Sequence, residues 1–172
     1  MNTPYKYERT ETVEQLISEY SSIPDGTGSG VRVSIAGRIM QRRDQGKVVF
    51  GNLQDSSGRI QLFAPSKSTP NFEAFSALNI GDWIGVKGEV MKTKRGELSV
   101  KVEQWEILAE TKRSFPDKWH GISDPDTRYR QRYVDMWVIE EAKKAFVLRS
   151  KLISMTRKWL EEKEFMEVET PV

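Results

Sequence analysis

The chain has 172 residues, enough for one full domain and part of another, and its 37% hydrophobic and 30% charged content is that of a globular protein rather than a disordered one. A net charge of +2 is too even for a bulk nucleic-acid coater, no apolar run approaches the ~20 residues of a membrane span, and MNTPYKYERT at the N-terminus lacks the apolar stretch of a secretory signal. The absence of cysteine excludes disulfides, thiolate metal sites and a cysteine nucleophile and agrees with a cytoplasmic protein, while a single histidine, His120, leaves almost no material for a histidine zinc site or a His-centred triad.

Residues 1–10 read as extended. Thr12-Val13-Glu14-Gln15 is a capping-box pattern, and Val13, Leu16, Ile17 and Tyr20 follow at helical spacing, so a short helix is expected from about Val13 to Tyr20. PDGTGSG, residues 24–30, ends it as a loop. From Val31 the period becomes two: Val31, Val33, Ile35 and Ile39 alternate with polar residues, and Gly37 suggests a bulge that curves the strand. Asp44-Gln45-Gly46 is a turn, Lys47 to Asp55 a second strand, Ser56-Ser57-Gly58 a turn, and Arg59 to Ala64 a third strand. Phe72, Phe75 and Leu78 give one apolar face to a small helix over Asn71–Leu78. Trp83 to Lys92 and Glu97 to Leu108 are two further strands around the turn Thr93-Lys94-Arg95-Gly96.

Three strands, a helix and two strands is the order of an OB-fold, a five-stranded Greek-key barrel whose second and third strands and adjoining loops bind oligonucleotides or oligosaccharides. The expected fold is therefore mainly β with flanking helices. Thr111 to Asp126 reads as an irregular linker carrying Trp119 and His120. In TRYRQRYVDM, residues 127–136, the alternation of arginine and tyrosine resembles a basic–aromatic RNA contact, but it reads better as tyrosines packed at a domain junction and arginines paired with acids. Glu140 to Glu164 is a long amphipathic helix with Phe146, Leu152, Ile153, Thr156, Trp159 and Leu160 on one face, and Phe165 to Pro171 reads as an emerging strand. A helix with so wide an apolar face needs a partner, which points to a piece of a longer protein or to pairing with another chain.

The chemistry concentrates in Gly37 to Ala64. Arg43, Phe50 and Gln61 supply a cation, a flat ring and an amide, the groups that hold unpaired bases by stacking and by hydrogen bonds to base edges. Alternation with Val49 and Leu53 leaves open whether Phe50 faces outward or into the core. Arg38, Arg42, Arg43 and Lys47 cluster within ten residues, and Lys87, Lys92, Lys94 and Arg95 within nine. Both clusters suit contacts to an RNA backbone, and both equally suit solvated hairpin ends.

Four stretches carry a resemblance to a known family: GRIMQRRDQGKVVFGNLQDSSGRIQLF, KTKRGELSV, FPDKWHGISDPDTRYRQRYVDM and RSKLISMTRKWLEEKEFMEVETP. From about Tyr5 onward the chain resembles the N-terminal part of bacterial-type lysyl-tRNA synthetases, class II enzymes of the aspartyl-like subgroup. The resemblance implies that the barrel binds a uridine-rich tRNA anticodon, with Phe50 stacking on a base, Gln61 hydrogen-bonding the central uridine, and Arg43 and Glu97 at the other anticodon-contacting positions. It implies a parent enzyme that uses ATP and Mg2+ to attach lysine to its tRNA, cytoplasmic and dimeric through the motif 1 region that the last stretch, with Pro171, resembles. Motifs 2 and 3 are absent, so no catalytic, ATP, metal or lysine-site residue is assigned, and the piece alone is expected to be inactive. The leader is shorter than is usual in the family. The expected divisions are a leader and helix over 1–30, the barrel over 31–110, a junction over 111–139, and the start of the class II domain over 140–172. Two alternatives stand beside this: an aspartyl or asparaginyl relative, which Gln61 does not distinguish, and a stand-alone OB-fold binder of single-stranded nucleic acid, for which residues 140–172 have no use. A fourth reading, a piece whose terminal helix recruits a partner synthetase, also stays open.

Overall fold

A computed structural model describes residues 4–113 and 122–171. Trp119 and His120 lie outside the described residues. The chain divides into two compact units, Met1–Phe115 and Pro116–Val172.

The first unit opens with helix α1, Val13–Tyr20. Thr12 and Gln15 form the capping box expected of them, Thr12 N–H donating to Gln15 Oε1 at 2.7 Å and Gln15 N–H to Thr12 Oγ1 at 3.4 Å. Five strands follow: β1 (Gly28–Asp44), β2 (Val48–Gln54), β3 (Arg59–Pro65), β4 (Trp83–Lys92) and β5 (Leu98–Ala109), with the short helix α2 (Phe72–Ser76) between β3 and β4. They close in the order β1-β2-β3-β5-β4. Every neighbouring pair is antiparallel except β3 and β5, which run parallel through Gln61–Ser99, Leu62–Val100 and Phe63–Lys101.

Closure depends on the length of β1. Its first part pairs with β4 and its last part with β2, and Arg38 stands in register with both Trp83 and Gln54. The bulge expected at Gly37 lies instead between Ile39 and Gln41, and Gly37 itself keeps regular register with Ile84. Gly37 is needed for closeness: a Cβ there would stand 2.5 Å from both the Gln54 carbonyl oxygen and Leu53 Cδ2. A second irregularity, between Gly28 and Arg32, puts the start of β1 out of phase, so Val31 is exposed although the alternation predicted it inside.

Inward-facing residues of all five strands form one core, including Ile35 and Ile39 of β1, Val49 and Leu53 of β2, Leu62 of β3, Val86 and Val90 of β4, and Val100 of β5. Phe75 and Leu78 belong to the same core, as do Val13 and Leu16 of α1, while Ile17 faces out. Full burial of each such aliphatic side chain is worth about 1.5–3 kcal/mol. The start of α1 is pinned by a residue from the β2–β3 turn. The buried Asp55 carboxylate accepts from Val13 N–H through Oδ2 at 3.0 Å, and through Oδ1 from Ser57 N–H (2.7 Å), Ser57 Oγ–H (2.7 Å) and Gly58 N–H (2.9 Å). Ser57 Oγ in turn accepts from Glu14 N–H at 3.0 Å.

In the second unit, α3 (Pro125–Arg130) is capped by Asp124, whose carboxylate accepts from Thr127 N–H at 2.8 Å. Helix α4 (Arg132–Val138) carries the fully buried Asp135, clamped by Arg128 Nε at 2.8 Å and Arg132 Nη1 at 2.6 Å, and Arg130 pairs with Asp126 at 2.6 Å. The arginines pair with acids, as read from the sequence. Within this unit Tyr129 and Tyr133 are exposed, and the Arg132 guanidinium lies 4.8 Å from the Tyr129 ring centre. Helix α5 spans Glu140–Glu161, three residues shorter at its end than the apolar pattern predicted, with Glu164 in the left-handed region at φ 64°. Leu152 and Trp159 on its apolar face are more than half exposed. Residues 165–171 form no strand: the Phe165 N–H turns back to the Leu160 carbonyl at 3.1 Å, and Glu167 meets Arg157 at 2.9 Å.

Burial alone pushes the Asp55 carboxyl up, but its four hydrogen bonds outweigh this and hold it below the usual carboxylate range. A depressed folded value adds stability that is complete above the unfolded value, about pH 4, and is lost as pH falls through the lower folded one. Asp55→Ala should therefore cost about 2 kcal/mol or more, and its melting temperature should fall less on acidification below about pH 4 than that of the parent. Thermal melts at neutral and acid pH check both; equal melting temperatures would contradict the role given to Asp55.

Candidate nucleic-acid interface

Period-two geometry decides which side chains share the outer face of the barrel. Val49 and Leu53 are fully buried, so Phe50 between them points outward, which resolves the question the alternation left open. Phe50 stands opposite Arg43 on β1 and opposite Phe63 on β3, and Asn52 stands opposite Gln61. The Phe50 and Phe63 rings lie 5.6 Å apart at 43°.

The β4–β5 turn approaches this face from the side. Thr93 N–H donates to the Glu97 carbonyl at 2.9 Å, Glu97 N–H to Thr93 Oγ1 at 3.1 Å, and Gly96 closes the turn at φ 80°. The loop after α1 packs on the same hairpin. Gly26 N–H donates to the Lys92 carbonyl at 3.0 Å, and Lys92 N–H donates to the Thr27 carbonyl at 2.9 Å.

These elements enclose an open cleft of about 520 Å³, within the ~300–1,000 Å³ range typical of ligand sites. Arg43 and Gln45 line it from the end of β1, Phe50 from β2, Gln61 and Phe63 from β3, and Met91 from β4. Gly26, Thr93, Lys94, Arg95 and Glu97 complete it from the loops and the start of β5. Arg43, Phe50, Gln61 and Glu97, far apart in sequence, thus meet in one cleft together with Lys94 and Arg95. The set offers two rings for stacking, an amide and a carboxylate for a base edge, and cations for phosphates.

The other basic residues singled out in the sequence stand elsewhere. Arg38 donates from Nη1 to the Gly81 carbonyl at 2.9 Å and lies 5.2 Å from the Trp83 ring centre. The side chain is half-buried against these groups, and burial lowers its pKa. Lys92 Nζ donates to the Ser21 carbonyl at 3.1 Å and meets Asp25 at 3.3 Å, so its charge fastens the N-terminal loop. Arg42 and Lys47 are exposed near the β1–β2 turn but do not line the cleft. Phe63 went unnoticed in the sequence although it lies two residues beyond Gln61, on the same face by strand period. Gly26 and Met91 carried no sequence signal, since only tertiary packing brings them there. Among the described residues no group of three or more histidines, aspartates or glutamates is placed to hold a metal, and no helix is long and apolar enough to cross a membrane.

Residues 33–108 match the tRNA anticodon family, an OB-fold nucleic acid binding domain, and residues 124–172 match the class II tRNA synthetases of types D, K and N. The chain belongs to the class II tRNA synthetases of this group. It is 44% identical to a lysine–tRNA ligase of Carboxydothermus hydrogenoformans, and 43% identical to those of a Synechococcus species and of Fervidobacterium nodosum. Each alignment covers 98% of the chain, and the chain spans about a third of the length of these relatives. The barrel thus matches an OB-fold domain of the tRNA anticodon family, and the region after it matches the class II synthetases, a combination shared with the lysine–tRNA ligase homologues.

The turn beside Arg43 is held by Asp44, whose carboxylate accepts from Ser76 Oγ–H at 2.5 Å and from Gly46 N–H at 2.7 Å. The Ser76 hydroxyl, then the Gly46 amide, hold the Asp44 pKa below the usual carboxylate range. An NMR titration should find Asp44 low, and Ser76→Ala should bring it back up; an unchanged value in the variant would contradict the assignment. Because the folded value is depressed, the order this carboxylate lends to the turn is complete above the unfolded pKa and is lost as pH falls through the folded one.

Proposed function

We propose that the barrel reads the anticodon of a lysine tRNA on behalf of a full-length lysine–tRNA ligase. The observation that carries this is the meeting of Arg43, Phe50, Gln61 and Glu97 in one cleft on the β2–β3 face. Phe50 supplies the ring on which an unpaired base stacks. Gln61 offers the central uridine both a donor and an acceptor. Glu97 accepts from a ring N–H, which uracil carries at N3 and neutral cytosine lacks. Arg43, Lys94 and Arg95 lie close enough to the same cleft to meet the phosphates on either side. The whole enzyme would use ATP and Mg2+ to activate lysine and transfer it to the tRNA, in the cytoplasm, as a dimer paired through the region of α5. These residues supply affinity and identity in that scheme, and no chemical step is assigned to them.

The test is a titration with an RNA hairpin whose loop carries UUU. Phe50→Ala should weaken binding by roughly 1–3 kcal/mol. Replacing Lys94 and Arg95 together by alanine should flatten the dependence of log Kd on log salt by about 0.7 for each phosphate no longer neutralised, whereas Arg38→Ala should leave that slope unchanged. Equal binding by Phe50→Ala would contradict the reading.

A further inference from the structure

The Gln61 side chain is held from behind, by a residue that does not line the cleft. Its Nε2 donates to Ser99 Oγ at 2.9 Å, the pair being set face to face by the parallel register of β3 and β5. Ser99 is completely buried, and its Oγ stands 3.1 Å from the Glu97 carbonyl oxygen. Two oxygens at that distance attract only with a proton between them. A carbonyl has none to give, so the single Ser99 hydroxyl proton is directed to Glu97. Ser99 then has only lone pairs left to present to Gln61, and these demand an N–H. The orientation of the amide is therefore fixed by chemistry, with Nε2 inward on Ser99. Gln61 Oε1 is left with no protein partner among the described residues.

We propose that Ser99 is a positioning residue that sets the base specificity of the cleft by forbidding the Gln61 amide to flip. The inference rests on the anticodon reading above. In the held orientation the amide shows an acceptor, Oε1, beside the second N–H of Nε2. That pattern complements uracil, whose N3–H donates and whose O4 accepts. Cytosine presents the reverse, an N3 acceptor beside an N4 donor. A glutamine free to rotate its terminal amide by half a turn serves either base equally well. Here the rotated amide would set Oε1 against Ser99 Oγ, acceptor against acceptor, with the only hydroxyl proton already committed. A cytosine in the cleft thus meets mismatched groups, or forces a buried hydrogen bond to break. The lock also ties the two recognition groups to one frame. The Glu97 carbonyl that takes the Ser99 proton accepts from Thr93 N–H as well, so the amide of Gln61 and the turn that carries Glu97 are referred to the same atom.

The experiment compares the Kd of the chain for two RNA hairpins, one with a UUU loop and one with its central base changed to C. It is run for the parent, Ser99→Ala, Gln61→Ala and the double variant, each first checked by its melting curve. Ser99→Ala should bind the UUU hairpin within about threefold of the parent but lose about fivefold or more of the preference over the C variant, as expected when a bidentate pair stops discriminating. In the Gln61→Ala background the same serine change should leave the ratio where it is, because the group it orients is gone. A ratio in Ser99→Ala equal to the parent's overturns the role of Ser99 and leaves the anticodon reading standing. An equal fall in affinity for both hairpins also overturns it, since that is the mark of a merely structural serine. A parent chain that fails to distinguish the two hairpins overturns the anticodon reading, and the inference with it.

Discussion

The short parallel ladder between β3 and β5 is the constraint on which the site depends. Hairpin turns join β1 to β2, β2 to β3 and β4 to β5, but β3 and β5 are separated by a helix and a whole strand, and only three pairs of residues hold them in register. That register places Gln61 beside Ser99 and brings the Glu97 end of β5 against the face that carries Phe50 and Phe63. A slip of one residue would turn Ser99 away and carry Val100 from the core to the surface. The fully buried Leu62 and Val100, paired in the middle of the ladder, fix the register by packing. The hydrophobic core and the recognition chemistry are thus two faces of the same three pairs.

The second dependence is on β1, which serves two neighbours by running past one and on to the other. Gly37 permits the approach of the Gln54 carbonyl at the crossing, and the bulge just beyond it re-aims the strand toward Arg43. The N-terminal segment contributes more than a lid over the core. Through Asp55 it is tied to the β2–β3 turn, and through Gly26, Thr27 and the Lys92–Asp25 pair it is tied to the β4–β5 hairpin. The two walls of the cleft are braced by the same short stretch of chain.

Much of this was legible in the sequence, for identifiable reasons. Trp83–Lys92 was found to its ends because Asp82 and Thr93 bound an unbroken alternation, and α1 was found because its capping box is local. Arg43, Phe50, Gln61 and Glu97 were singled out, but only the barrel shows that they share a cleft. Arg38 could not be told from Arg43 in a run of basic residues; its burial against Trp83 comes from a strand more than forty positions away. The Asp55 and Ser99 hydrogen bonds were invisible for the same reason, since neither has a signature apart from its partner. The strand expected over residues 165–171 failed on a different principle: a strand is a property of a pair, and its sequence pattern cannot supply the neighbour. In the second unit α5 was found from its spacing, and Leu152 and Trp159 of its expected apolar face are exposed, as are Val147, Leu148 and Met155 beside it.

The most direct test of the account is a backbone and side-chain NMR map of the chain titrated with a UUU-loop hairpin. The account predicts that the largest shifts fall on Phe50, the Gln61 side-chain amide, Phe63 and the Thr93–Glu97 turn, with contacts between the Phe50 ring and base protons. It predicts that Arg38, Trp83 and the Lys92–Asp25 pair stay in place. Shifts centred on the Arg38–Trp83 end of the barrel, with the β2–β3 face silent, would contradict it.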